Sequence, residues 1–153
     1  NVRLANPDAQ RTEVMEALYQ AGCDSILDKF KDRENTVIGS KGVYLSGGEK
    51  QRIAIARAML KNAKIVILDE ASAAIDPENE HELQKAFAHL MKGKTVMMIA
   101  HRLSSIRNVD EILVLEDGKI AERGTDAALM ATDTKYREYQ TLYEQANEWR
   151  VVR

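Results

Sequence analysis

Cysteine occurs once in this sequence, at Cys23, so no internal disulfide can form, and no Asn-x-Ser/Thr triplet offers a glycosylation site. Both absences fit a reducing compartment. Cys23 has no nearby histidine to activate it and reads as a small, semi-buried side chain rather than a nucleophile. Long hydrophobic runs are missing too. None exceeds five residues, as in Val96 to Ala100, whereas a membrane-spanning helix needs roughly 20. The opening Asn1 to Pro7 has neither the basic head nor the apolar segment of a secretory signal. There is no excess of either charge: 22 Lys and Arg face 24 Asp and Glu, a net charge of −2. Such a surface has no long-range field to steer it toward nucleic acid or anionic lipid, so nucleic acid is not an expected partner. No His/Cys cluster has metal-ligand spacing, which disfavours structural zinc.

What the 153 residues do contain is enough for one domain core. Val14, Ala17, Leu18 and Ala21 recur at helical spacing over Arg11 to Ala21, with Gly22 as the stop. Ser25 to Phe30 suits a short turn, and Asp32 to Gly42 a polar loop around an extended Thr36-Val37-Ile38. Ser46 followed by Glu49 is a capping box, which starts a helix at Gly47 that runs to about Leu60.

Beyond residue 62 the pattern alternates between short apolar runs and helix. Ile65 to Leu68 is continuously apolar and predicts a strand covered on both faces. Asp76-Pro77 opens a helix from Glu78 to about Met91, apolar at Leu83, Ala86, Phe87, Leu90 and Met91. Gly93 ends it, and Thr95 to Ala100 is a second buried run, spaced for a right-handed crossover between parallel strands. Asp117-Gly118 predicts a hairpin between Glu111–Leu115 and Lys119–Glu122, and Thr125 caps a short helix over Asp126 to Ala131. Tyr136, Tyr139, Tyr143, Ala146 and Trp149 mark one face of a last helix and read as packing rather than ligand binding. The fold class is α/β, a helical subdomain followed by a parallel-sheet core with C-terminal helices. The expected divisions are 1–61, helical; 62–125, a partial α/β core; and 126–153, a helical tail.

Three places carry chemistry. Asp69 and Glu70 end the first apolar run, at the strand edge where open α/β sheets bind ligands. Adjacent strand residues point oppositely, so one carboxylate can serve Mg²⁺, usually through water, while the other orients or deprotonates an attacking water. Alternatively, both are solvated acids. Ser46, Gly47 and Gly48 open a helix whose N–H groups can meet phosphate, although Ser-Gly-Gly occurs at many ordinary helix starts. His101 follows the second run, where an imidazole can bond a phosphate oxygen or make an ordinary polar contact. His81 and His89 belong to the covering helix. Gly93-Lys94-Thr95 copies the end of a P-loop, but Ala88 stands where a glycine is required and a strand follows. No phosphate-wrapping P-loop is present.

Together these segments resemble the C-terminal part of the ATP-binding domain of ABC transporters. Leu45-Ser46-Gly47-Gly48-Glu49 is similar to the family signature, Ile65 to Glu70 to Walker B with the catalytic glutamate, Ala71 to Asp76 to the D-loop, and His101 to the switch histidine. Ile99 to Ile106 and Asp117 to Gly124 look like the exporter branch. The resemblance extends to about Leu129 and lacks the N-terminal half with Walker A. It implies ATP and Mg²⁺ as cofactors, with Asp69 serving the metal, Glu70 polarising water and His101 sensing the γ-phosphate. Ser46, Gly47 and Gly48 would clamp nucleotide held by a second such domain, in a homodimer or heterodimer, with Glu49 beside them among the implied nucleotide-binding residues. Glu49 stands where glutamine is commoner, and Ala73 where serine is usual. The implied parent is an exporter in a membrane with this domain on the cytoplasmic face and a transmembrane domain in the same or another chain. The isolated chain is expected to be inactive. A soluble machine, an importer, or a noncatalytic half-domain awaiting its partner are the alternatives.

Overall fold

A computed structural model describes residues 1–69, 77–100 and 106–151, with side chains described for 1–69, 81–100 and 106–145. The chain divides into two compact units, Asn1–Met98 and Ile99–Arg153.

In the first unit the helices are α1 (Arg11–Gln20), α2 (Asp24–Asp28), α3 (Gly47–Lys61) and α4 (Pro77–Met91), with strands β1 (Ile65–Asp69) and β2 (Thr95–Ile99). Short 3-10 turns occupy Val2–Ala5 and Arg33–Asn35. α1 ends where Gly22 takes φ +66°, and α4 where Gly93 takes φ +70°, left-handed positions that glycine adopts without a Cβ penalty. α3 is the hub. It packs on α1, on α4 and on the first turn of the chain, with Ile53, Ile55 and Ala56 buried beside Leu18, Leu83, Ala86 and Leu90. Cys23 is wholly inside this core, deeper than the semi-buried position expected, and desolvation pushes its thiol up to about 12 despite the opposing charge of Arg52.

β1 and β2 form a two-stranded sheet. Thr95 N–H donates to Lys64 O at 3.0 Å, so the two strands begin side by side, as a parallel crossover requires. The expectation that β1 is covered on both faces is corrected. Val66 and Leu68 point into the core, but Ile65 and Ile67 are 64% and 65% exposed. β2 repeats this, with Met97 and Ile99 exposed opposite half-buried Val96 and Met98. A continuous apolar run signals two hydrophobic faces, and the described helices of this unit bury one.

The second unit contains β3 (Ile112–Glu116), β4 (Lys119–Gly124), α5 (Asp126–Met130) and α6 (Lys135–Val151). β3 and β4 pair antiparallel through Asp117 (φ +49°) and Gly118 (φ +74°), the two left-handed residues that a type I′ hairpin turn needs. Thr125 Oγ1 accepts from Ala128 N–H at 3.3 Å and starts α5. Ile112, Val114, Leu129 and Tyr136 make a small core. The aromatic stripe is only partly a packing face: Tyr136 is buried and Tyr143 half-buried, but Tyr139 is exposed and Gln140 takes the buried place one residue on. Ala146 and Trp149 have side chains outside the described residues.

Candidate functional site

The start of α3 is built by reciprocal capping. Ser46 N–H donates to Glu49 Oε2 at 2.7 Å, and Glu49 N–H donates to Ser46 Oγ at 3.2 Å. Of the donors that a helix leaves unpaired in its first turn, two are thereby satisfied. The N–H groups of Gly47 and Gly48 have no acceptor among the described residues. Gly47 is exposed, and a Cβ built on it would meet nothing within 4 Å, so the space beside its amide is open. Ser46 is also exposed, and its hydroxyl hydrogen, unused in the cap, can point outward. The result is a short arc of donors at the positive end of a 15-residue helix, chemistry suited to an anion.

The loop before this helix is held tightly. Val43 N–H donates to Val37 O at 2.9 Å, Gly39 N–H to Val43 O at 3.1 Å, and Ile38 bridges Val43. A Cβ on Gly42 would fall inside the van der Waals envelope of the Val37 carbonyl. Only glycine lets the chain fold back this closely before Leu45 buries itself and Ser46 emerges.

Glu49 is buried and ionised. Burial alone would raise its carboxyl, but the Ser46 N–H and the Lys29 ammonium together hold it below its ordinary value. Lys29 Nζ sits 3.2 Å from Glu49 Oε1, on the oxygen that the Ser46 amide does not use. The charge that Glu49 brings to the signature therefore arrives with a counter-ion from the end of α2. Lys29 was not legible as a partner, since twenty residues separate the pair.

Asp69 is exposed at the carboxyl end of β1. It shares the outward face with Ile65 and Ile67, because side chains alternate along a strand. The structure thus brings Ser46, Gly47, Gly48 and Glu49 together at one helix start and places Asp69 on a separate element. Glu70, His101 and the segment Ala71 to Asp76 lie outside the described residues. Among the described residues, no group of three or more His, Cys, Asp or Glu side chains could hold a metal by itself. A single exposed carboxylate fits Mg²⁺ bound mainly by phosphate and water, the usual manner for this ion. Among the described residues, no helix is long and apolar enough to cross a membrane.

Comparison with known proteins bears on the whole arrangement. Residues 4–73, which include the α3 start and Asp69, match the family described as ABC transporter. The chain is 51% identical over 130 residues to a mitochondrial potassium channel ATP-binding subunit of Xenopus tropicalis, covering 85% of this chain and 19% of that protein. It is 48% identical over 137 residues to an ATP-dependent lipid A-core flippase of Pectobacterium atrosepticum, covering 90% and 24%. A solved bacterial Atm1-family ABC exporter with ATP bound superposes with a TM-score of 0.79 at 36% identity, over 92% of this chain and 24% of that one. The chain thus spans a quarter or less of the length of each of these relatives.

Proposed function

We infer, from the match of residues 4–73 to the ABC transporter family and from the exporter-type proteins to which the chain is similar, that it is part of an ATP-binding domain of that family and a motor segment of an ATP-driven exporter. The observation that carries this reading is the capped start of α3, which leaves the Gly47 and Gly48 amides without an acceptor among the described residues, with open space at Gly47 beside the exposed Ser46 hydroxyl.

In this reading these groups clamp the phosphates of a nucleotide held by a second domain of the same kind. The clamp uses fixed dipoles already aimed at the anion, so little reorganisation is needed when the two domains close. Asp69 holds Mg²⁺, which when bound offsets phosphate charge. Glu70 accepts a proton from the attacking water, and His101 hydrogen-bonds the terminal phosphate. Residues 1–61 form the helical and signature subdomain, 62–125 part of the catalytic core and 126–153 a helical tail. The Walker A motif is absent from these residues, so it must come from the rest of the parent domain. The transmembrane domain and the solute it selects also lie outside this chain.

The test is Glu70→Gln in the full-length protein. It keeps the bulk of the side chain but removes the base, so ATP hydrolysis should fall by roughly a hundredfold or more, while equilibrium ATP binding is retained. Undiminished turnover would reject the assignment.

A further inference from the structure

The outward face of the β1–β2 sheet and the crevice beside α1 have no occupant that these residues identify, whereas the Lys29–Glu49 pair acts on the α3 start itself. We propose that Lys29 is a positioning residue of the phosphate-facing end of α3, and that it acts by cancelling the charge of Glu49. This rests on the nucleotide-clamp reading above.

Glu49 has two duties that conflict. Its carboxylate caps the Ser46 N–H at 2.7 Å, which fixes the turn that aims the Gly47 and Gly48 amides. The same negative charge sits within one turn of the place where an anion must bind, so it opposes the helix dipole that favours binding. Lys29 resolves the conflict. Its ammonium lies 3.2 Å from Oε1, leaving Oε2 for the cap. Its neighbour Asp28 is paired with Arg33. The Lys29 ammonium also lies 5.7 Å from the centre of the Phe30 ring, a second restraint on its position. Glu49 is buried while Lys29 is largely exposed, so the carboxylate is the costlier member to leave unpaired.

A charge-cancelling role and a purely mechanical tie between α2 and α3 predict different double-mutant behaviour. In the full-length transporter, Lys29→Met keeps the aliphatic stem and removes the charge. It should raise the KM for ATP roughly fivefold at low ionic strength, the scale of one charge acting at a helix terminus. The defect should shrink in high salt, which screens the exposed side of the site. Charges add, so the Lys29→Met, Glu49→Gln double variant, which removes both charges and leaves an amide oxygen to accept from the Ser46 N–H, should return to within twofold of the wild-type KM.

A double variant as defective as Lys29→Met alone, with a defect insensitive to salt, would overturn the proposal in favour of a tie. So would a wild-type KM in Lys29→Met alone. Lys29→Gln is measured in parallel, and loss of folded protein in both variants would likewise make the residue structural and overturn the proposal. Glu70→Gln in the same assay separates the two levels. If it abolishes hydrolysis while Lys29→Met does nothing, only the Lys29 role falls. If it has no effect, the nucleotide reading falls first.

Discussion

At the residue scale, Glu49 shows how one side chain links stability to function. Its folded carboxyl is held below the unfolded value, so ionisation favours the folded state. That contribution is fully present above the unfolded value of roughly 4.3, and is lost as pH falls through the lower folded value. Unfolding midpoints of the wild type and Glu49→Gln should therefore differ near neutrality and converge toward pH 3, with urea titrations at each pH as the measurement. A constant difference across the range would mean that the carboxylate makes no net charge-dependent contribution. Gly42 teaches the opposite lesson. It acts through space alone: the Val37 carbonyl occupies the place a side chain would take, and Ser46 emerges four residues later.

At the element scale, helices here begin with different degrees of local control. α3 and α5 carry their caps in their own sequence, Ser46 with Glu49 and Thr125 with the Ala128 amide, and both starts were readable. α6 has Thr134 Oγ1 accepting from Arg137 N–H at 3.2 Å. It also depends on Glu122 of β4, whose carboxylate accepts from the Lys135 and Tyr136 amides at 2.7 and 3.1 Å. Pairing of the hairpin register with the α6 start makes that contact, and no window of sequence contains it. Glu122→Ala should cost about 1 kcal/mol, as loss of a capping acceptor does. Amide exchange should accelerate first at Lys135 and Tyr136, and unchanged protection there would show that the carboxylate does not hold the helix. Tyr136 completes the same corner. Its hydroxyl donates to Asp126 Oδ1 at 2.6 Å and accepts from Gln140 Nε2 at 2.7 Å, which explains why a glutamine is buried where an aromatic stripe was expected.

At the scale of the whole molecule, the apolar content of β1 and β2 exceeds what the described helices of the first unit bury. Ile65 and Ile67 stand outward on β1, and Met97 on β2. Exposed apolar strands are templates for association. The isolated chain should accordingly self-associate with rising concentration, and Ile67→Lys should suppress this while shifting the unfolding midpoint little, because the side chain faces solvent. Sedimentation velocity over a concentration series would measure it. Monomeric behaviour of the wild type at all concentrations would show that this face is not adhesive.

The sequence by itself determined what local chemistry can enforce. The helix starts at Gly47 and Asp126, the Asp117-Gly118 hairpin, the crossover from β1 through α4 to β2, and the acid at the end of β1 all follow from spacing and caps within a few residues. Tertiary structure alone decided which face of each strand is covered, because a continuous apolar run is silent about how many layers lie against it. It alone paired Lys29 with Glu49, Glu122 with the start of α6 and Gly42 with Val37 O. Each of those contacts is made by the folding path of the chain between its partners, and the free energy of such a contact depends on a distance that no local pattern encodes.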